Sequence, residues 1–188
     1  MVRSEYFTER LCMTLSHPRL APLVAEYFLR NREFLRATEP ERDEEFFTKS
    51  CQRSFLQADV ERFSDGTAVK FWLSYRGEAR IIGMLSLSTI VMGAFRSCFV
   101  GYRLDKDEIN KGLMTEALFK AVDIAFHDIG LHRLEANIMP RNKPSLRVAE
   151  KAGFIDEGIS KKYLQIDGVW EDHIHMVLLN EEMEERWK

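Results

Sequence analysis

Phe99-Val100-Gly101-Tyr102-Arg103-Leu104 and, after a short polar loop, Asn110-Lys111-Gly112-Leu113-Met114-Thr115-Glu116-Ala117 are the most informative part of this sequence. An apolar strand runs into a glycine-containing turn that opens an amphipathic helix. The first backbone N–H groups of that helix have no internal partner, so its start is an anion site. Downstream, Leu131 to Met139 reads as a second strand, and Pro140-Arg141-Asn142-Lys143-Pro144-Ser145 leads into a second helix, Ser145 to Ala152. Two strand-to-helix units in succession predict a cradle for a cofactor.

Periodicity extends the reading in both directions. Glu9 to His17 alternates like a strand, Pro18 to about Leu35 repeats apolar residues at helical spacing, and Asp43 to Phe63 does so again after the Thr38-Glu39-Pro40 break. Three segments of period two follow, Val69–Tyr75, Arg80–Ser88 and Arg96–Leu104, with Arg76-Gly77-Glu78 and Met92-Gly93-Ala94 as turns. Leu113, Ala117, Leu118, Ala121, Ile124, Ala125 and Ile129 mark one helix face, and Gly130 stops that helix. Phe154–Ile166 and Val169–Leu179 close the chain as strands around an Asp167-Gly168 turn. The predicted architecture is α/β (α+β): a mixed, mostly antiparallel sheet of about seven strands with helices on both faces.

The chain has 188 residues, 45% hydrophobic and 30% charged, with no linker, repeat or low-complexity run, and is expected to form a single domain over residues 1–188. Its first residues alternate charged and apolar side chains and contain no apolar run of signal-peptide or membrane-spanning type. Cys12, Cys51 and Cys98 are scattered and odd in number, the pattern of free, mostly buried thiols in a reducing compartment; the expectation is a cytoplasmic protein. A net charge of −3 with both signs interspersed lacks the basic stripe that direct DNA or RNA binding needs, and suits a basic partner instead. The spacings of a triphosphate loop and of a dinucleotide fold are both absent around Lys111-Gly112.

The same residues resemble the motif region of the GNAT superfamily of acetyl-CoA-dependent N-acetyltransferases. The family's Gln/Arg-x-x-Gly-x-Gly/Ala loop falls on Ile109-Asn110-Lys111-Gly112-Leu113-Met114, where the central glycine alone is kept. The flanking Gly101-Tyr102-Arg103-Leu104-Asp105, His132-Arg133-Leu134-Glu135-Ala136-Asn137, Asn142-x-x-Ser145, Ala149 to Phe154 and Tyr163-Leu164-Gln165-Ile166-Asp167-Gly168-x-Trp170-x-Asp172-His173 carry the likeness further. Within the superfamily the sequence resembles the ribosomal-protein-alanine N-acetyltransferases of the RimJ type. Asn31-Arg32-x-Phe34-Leu35 and Glu39-Pro40-x-Arg42-Asp43-Glu44 extend it towards the N-terminus.

The resemblance implies acetyl-CoA as cosubstrate, held by Gly101, Tyr102, Arg103 and Leu104 along its pantetheine arm, by Asn110, Lys111, Gly112, Leu113, Met114 and Thr115 at its pyrophosphate, and by Asn142. Ser145 would stand near the departing sulfur, where a hydroxyl stabilises developing negative charge; as the residue after Pro144 it also suits a helix N-cap. Glu135 occupies a position where some members carry an acidic base, and reads equally well as an ion-paired strand residue. Some relatives place another acidic residue before the pair matching Tyr163-Leu164; here it is Lys162, which leaves Glu135, Asp172 or an ordered water.

Glu39 and Glu41, on an acidic elbow, together with Tyr163 and Asp172, are the candidate substrate contacts. His173 and His175 lie two apart on one strand face, but a third and fourth metal ligand are not suggested, so structural or substrate-pocket roles and no metal are expected. The implied reaction is acetyl transfer to the N-terminal amine, an alanine, of a small-subunit ribosomal protein by direct attack, with the assembling small ribosomal subunit as a further implied partner. A small polyamine or antibiotic amine as acceptor, or a ribosome-assembly factor that keeps coenzyme A binding, are the alternative readings. Nothing in the sequence points to an oligomeric state.

Overall fold

The period-two segments become the strands of one sheet. The computed structural model describes residues 1–185, and its strands are β1 (Glu5–Phe7), β2 (Leu11–Leu15), β3 (Val69–Tyr75), β4 (Ile81–Val91), β5 (Ser97–Leu104), β6 (Arg133–Ile138), β7 (Ile155–Ile166) and β8 (Val169–Leu179). They lie in the order β1-β2-β3-β4-β5-β6-β8-β7. The β5–β6 pair is parallel and the other pairs are antiparallel. The helices are α1 (Ala21–Arg36), α2 (Lys49–Ser64), α3 (Leu113–Asp123), α4 (Lys143–Lys151) and α5 (Glu181–Glu185). No helix among the described residues is long and apolar enough to cross a membrane.

Several elements differ in detail from the periodicity reading, each for a local reason. The sheet gains an eighth strand, β1, whose three residues pair with β2 through Tyr6 opposite Met13. The second helix starts at Lys49 and not near Asp43, because Asp43 accepts from the Phe46 amide at 2.9 Å in a separate turn. The extended Thr48 then caps the helix by accepting from the Cys51 amide at 3.2 Å. The third helix ends as a π-helical turn over Ile124–Ile129, closed by left-handed Gly130. Of the three free thiols, Cys98 alone is buried, and burial pushes it up to about 12, while Cys12 and Cys51 are half-buried.

Alternation along the strands divides the core between the two faces of the sheet. Phe71, Leu73, Leu85, Leu87, Cys98, Val100, Leu134 and Ala136 pack against Leu113, Ala117, Leu118 and Ala121 of α3 and Leu146 and Ala149 of α4. Trp72 and Met84 face the other way and pack with Val24, Tyr27 and Phe28 of α1 and Leu56 of α2. Arg103, opposite Met84 in the β4–β5 register, therefore lies on the α1 face, whereas Val100 lies on the α3 face.

Gly83 fixes how closely β4 and β5 approach. A Cβ there would meet the Arg103 carbonyl oxygen at 2.7 Å, a backbone atom with no freedom to rotate away. Gly83→Ala is expected to displace the end of β5 and to cost about 1–3 kcal/mol, as overpacked sites do. Urea unfolding checks this, and an unchanged midpoint would show that the strand yields freely.

Candidate active site

β5 and β6 run side by side only at their starts. Ser97, Cys98 and Phe99 pair with Arg133, Leu134 and Glu135, and beyond that point the two strands share no pairing. β5 stays bonded to β4 up to Leu104, and β6 to β8 up to Ile138, so the gap is a fork in an otherwise continuous sheet. A cavity of about 750 Å³ fills it, lined on β5 by Val100 to Leu104 and on β6 by Ala136 to Ile138. The cavity passes through the sheet and is walled by different residues on each face.

On the α3 face the wall is the helix start. Gly112 takes φ +77 as the N-cap, a left-handed value that glycine adopts without strain. The first bond within the helix runs from the Glu116 amide to the Gly112 carbonyl, so the amides of Leu113, Met114 and Thr115 have no acceptor inside it. All three residues line the cavity, as do Asn110 and Gly112. Glu116 is held back from this positive helix end by Arg10, whose Nε donates to it at 2.7 Å and whose Nη1 donates to the Lys111 carbonyl at 2.9 Å.

The loop leading to that helix is pinned by two buried carboxylates. The Asp105 side chain has no exposed surface and accepts from Arg30 at 2.7 Å and Arg80 at 3.2 Å, while its other oxygen accepts from the Asp107 amide at 3.0 Å. Glu108 accepts from Arg80, Tyr75 and Lys111 at 3.2, 2.7 and 2.8 Å. Burial alone would raise both carboxyls. The Asp107 amide and Arg30 reverse that for Asp105, and Lys111 and Tyr75 do so for Glu108, so both lie below the ordinary carboxylate range.

α4 closes the same face. Asn142 is its N-cap and accepts from the Ser145 amide at 3.4 Å, so Ser145 sits inside the first turn and is not the cap. The helix therefore begins at Lys143, two residues before the expected start, with Pro144 tolerated in its first turn. The Tyr102 hydroxyl donates to the Ser145 carbonyl at 2.8 Å and ties β5 to α4 across the fork. Arg147 and Lys151, one turn apart, bring positive charge to the cavity wall.

On the α1 face the cavity is walled by Phe34, Ala37, Thr38 and Glu39 from the end of α1 and the elbow after it, by Arg103, and by Asn137 and His173. Glu39 is ion-paired to Arg103, and its carbonyl accepts from the Asp167 amide at 3.1 Å, which joins the elbow to the β7–β8 hairpin.

The sequence profile described as acetyltransferase (GNAT) domain matches residues 10–155. The chain belongs to the GNAT acetyltransferase family. It is 40% identical over 167 residues to the [ribosomal protein uS5]-alanine N-acetyltransferase of Escherichia coli, covering 89% of this chain and 86% of that one. Among solved structures, the ribosomal-protein-S5-alanine acetyltransferase from Vibrio fischeri superposes with a TM-score of 0.91 at 36% identity, covering 96% of this chain and 98% of that one. Mycobacterium smegmatis RimJ in complex with CoA-disulfide superposes with a TM-score of 0.87 at 28% identity, covering 92% and 83%.

Within this acetyltransferase the fork gathers most of the residues singled out in the sequence. Gly101, Tyr102, Arg103, Leu104, Asn110, Gly112, Leu113, Met114, Thr115, Asn142, Ser145 and Glu39 all line the cavity. Lys111 does not: its ammonium is spent on Glu108 and its carbonyl on Arg10. Glu41 lines a smaller neighbouring pocket.

Glu135 lies outside the cavity, opposite Phe99, where the strands are still paired and the cleft has not yet opened. Its oxygens accept from His175 at 2.8 Å and Arg133 at 3.1 Å. Burial would raise its carboxyl, but His175 and Arg133 override that and hold it low, which suits an ion-paired strand residue and not a proton acceptor. Asp172 likewise lies outside the cavity, bonded to the Lys161 ammonium at 2.8 Å and the Lys162 amide at 2.9 Å. Tyr163 stands behind the wall, its ring against His173 and His175.

Among the cavity residues that the sequence reading did not name as site residues are Arg147, Lys151 and Asn137, while His173 had been given a structural or substrate-pocket role. Arg147 and Lys151 carried a signal in their i, i+4 spacing, and His173 in its same-face pairing with His175; Asn137 had none beyond its place in the strand.

The depressed Asp105 and Glu108 set a pH dependence whose sign is fixed. Their contribution is present above the ordinary carboxylate range and is lost as pH falls through their lowered folded values. Asp105→Asn is expected to cost on the order of 3 kcal/mol at neutral pH, since it removes the buried charge that Arg30 and Arg80 share. In denaturant titrations the difference from the parent should shrink as the pH is lowered; a gap that stays constant would refute the assignment.

Proposed function

We propose that this enzyme transfers the acetyl group of acetyl-CoA to the N-terminal α-amine of a ribosomal protein, an alanine on the small-subunit protein uS5. The observation that carries the proposal is the fork: it joins an anion-binding helix start on one face of the sheet to a polar vestibule on the other. The named activity of the Escherichia coli relative supports the substrate class. The assembling small ribosomal subunit in the cytoplasm is the setting in which such a terminus is accessible. The proposal treats residues 1–188 as one catalytic domain, supported by the single sheet that runs from Glu5 to Leu179.

Acetyl-CoA fits the residues present. Its diphosphate matches the free amides at 113–115 and the dipole of α3. Its pantetheine amides match the β5 edge that β6 leaves unpaired, in the manner of an added strand. The cations Arg147 and Lys151 match its remaining phosphate. Asn142 and Ser145 stand where the arm would pass through the fork, and the Ser145 hydroxyl would stabilise the departing thiolate.

An N-terminal amine asks less of the protein than a lysine. With a reference pKa near 8, roughly a tenth of α-amines are neutral at pH 7, against well under one in a thousand for a lysine near 10.4. Holding a neutral amine beside the thioester then supplies much of the rate.

The test is intact-mass analysis after incubating the purified enzyme and acetyl-CoA with a uS5 N-terminal peptide, the same peptide blocked at its α-amine, and a free polyamine. One added acetyl group on the unblocked peptide alone is expected; acetylation of the polyamine in preference would overturn the assignment. Ser145→Ala should lower kcat by roughly 10- to 100-fold while leaving the KM for acetyl-CoA near its parent value.

A further inference from the structure

Resting on the acetyl-transfer reading above, we propose that His173 is the base that takes the proton from the acceptor amine, with Asn137 holding that amine beside it. His173 is 3% exposed and lines the cavity on the α1 face. Its Nδ1 lies 3.0 Å from the Glu171 carbonyl oxygen. A carbonyl can only accept, so Nδ1 carries the hydrogen, and in the neutral ring Nε2 then keeps the lone pair. That Nε2 has no hydrogen-bond partner among the described residues.

Asn137 lies on the same sheet face and the same cavity wall, and its Oδ1 is buried with no partner. The Asn137 Nδ2 group faces the Tyr163 hydroxyl at 3.5 Å, and the Tyr163 ring stands 5.7 Å from that of His173, centroid to centroid. The wall thus carries two acceptors that lack donors. An incoming amine brings N–H donors and no competing acceptor beyond its own lone pair, so it complements both.

The other titratable groups around the cavity are unsuited to the role. Glu39 is spent on Arg103, Arg147 and Lys151 are cations, and the Tyr102 hydroxyl donates to the Ser145 carbonyl. The charged and titratable groups set around His173 are Tyr163 on β7, Glu171 and His175 on the same face of its own strand, Arg141 paired to Glu171, and the Arg103–Glu39 pair on the cavity wall, with Asp172 on the other face of the strand.

In the step, the nitrogen lone pair forms the bond to the thioester carbonyl carbon and the carbon–sulfur bond breaks with its electron pair going to sulfur. The proton lost by nitrogen passes to Nε2 of His173. The thiolate gains a proton from Ser145 or water, and the proton held on Nε2 then returns through solvent to that oxygen, so that amide and thiol form and both side chains end as they began.

His173→Gln keeps a hydrogen-bonding side chain and removes the titrating ring. With the N-terminal peptide, kcat is expected to fall by about a hundredfold. The KM for acetyl-CoA should stay near the parent value, the acid limb of the kcat/KM pH profile should vanish, and added imidazole should restore part of the rate. Asn137→Ala should raise the KM for the peptide and keep the acid limb. Should His173→Gln fail to fold, histidine-edited NMR of the parent enzyme with a peptide–CoA bisubstrate decides: a shift of the His173 Nε2 resonance on binding is expected. A folded His173→Gln enzyme that retains the acid limb, or an Nε2 resonance unmoved by the bisubstrate, overturns the role of His173. If the parent enzyme itself acetylates no peptide, the substrate reading falls first, and the two failures are thereby told apart.

Discussion

The end of pairing between β5 and β6 after Phe99 and Glu135 is the constraint on which the rest of the molecule depends. A parallel pair that stayed zipped would satisfy its own backbone groups and present a closed sheet. By parting, the strands leave a row of unpaired groups along one edge and open a passage between the two faces. Both parted strands stay anchored on their outer sides, β5 to β4 and β6 to β8, so the gap costs hydrogen bonds at one seam without loosening the sheet. The close approach enforced at Gly83 and the Tyr102 tie to α4 hold the two sides of the fork in place.

The passage separates two kinds of recognition. On the α3 face the proposed partners are backbone amides and a helix dipole, which would recognise an anion by geometry whatever side chains stand at Ile109 and Met114. On the α1 face the partners are side chains: an ion pair, an orphaned amide oxygen and an imidazole. On the proposed reading the reactants enter from opposite faces and meet at the fork, where Ser145 stands on the α3 side and Asn137 and His173 on the other.

Behind the start of α3, charge adds to the apolar packing of Leu113 and Met114. Asp105 and Glu108 gather Arg30, Arg80, Lys111 and Tyr75 beneath the loop, so the helix start is held at the angle its amides need. The same logic places Glu135 in a structural role: with Arg133, Glu157 and His175 it locks β6 to β7 and β8 where the seam is closed.

What the sequence by itself determined is what local chemistry decides: the alternation of the strands, the turns at Gly77 and Asp167-Gly168, and the helix opened at Gly112 with its free amides. These depend on residues a few positions apart, so a linear reading reaches them, including the α3 wall of the cleft. Only the tertiary structure decided which side chains are left free to act. Arg30 reaches Asp105 across 75 positions, His175 reaches Glu135 across 40, and Glu39 reaches Arg103 across 64, and each such pairing removes a carboxylate from the list of reactive groups. The free acceptors, Asn137 Oδ1 and His173 Nε2, emerge by the same accounting. A side chain's availability is set by its partners in space, and those partners are written nowhere near it in the chain.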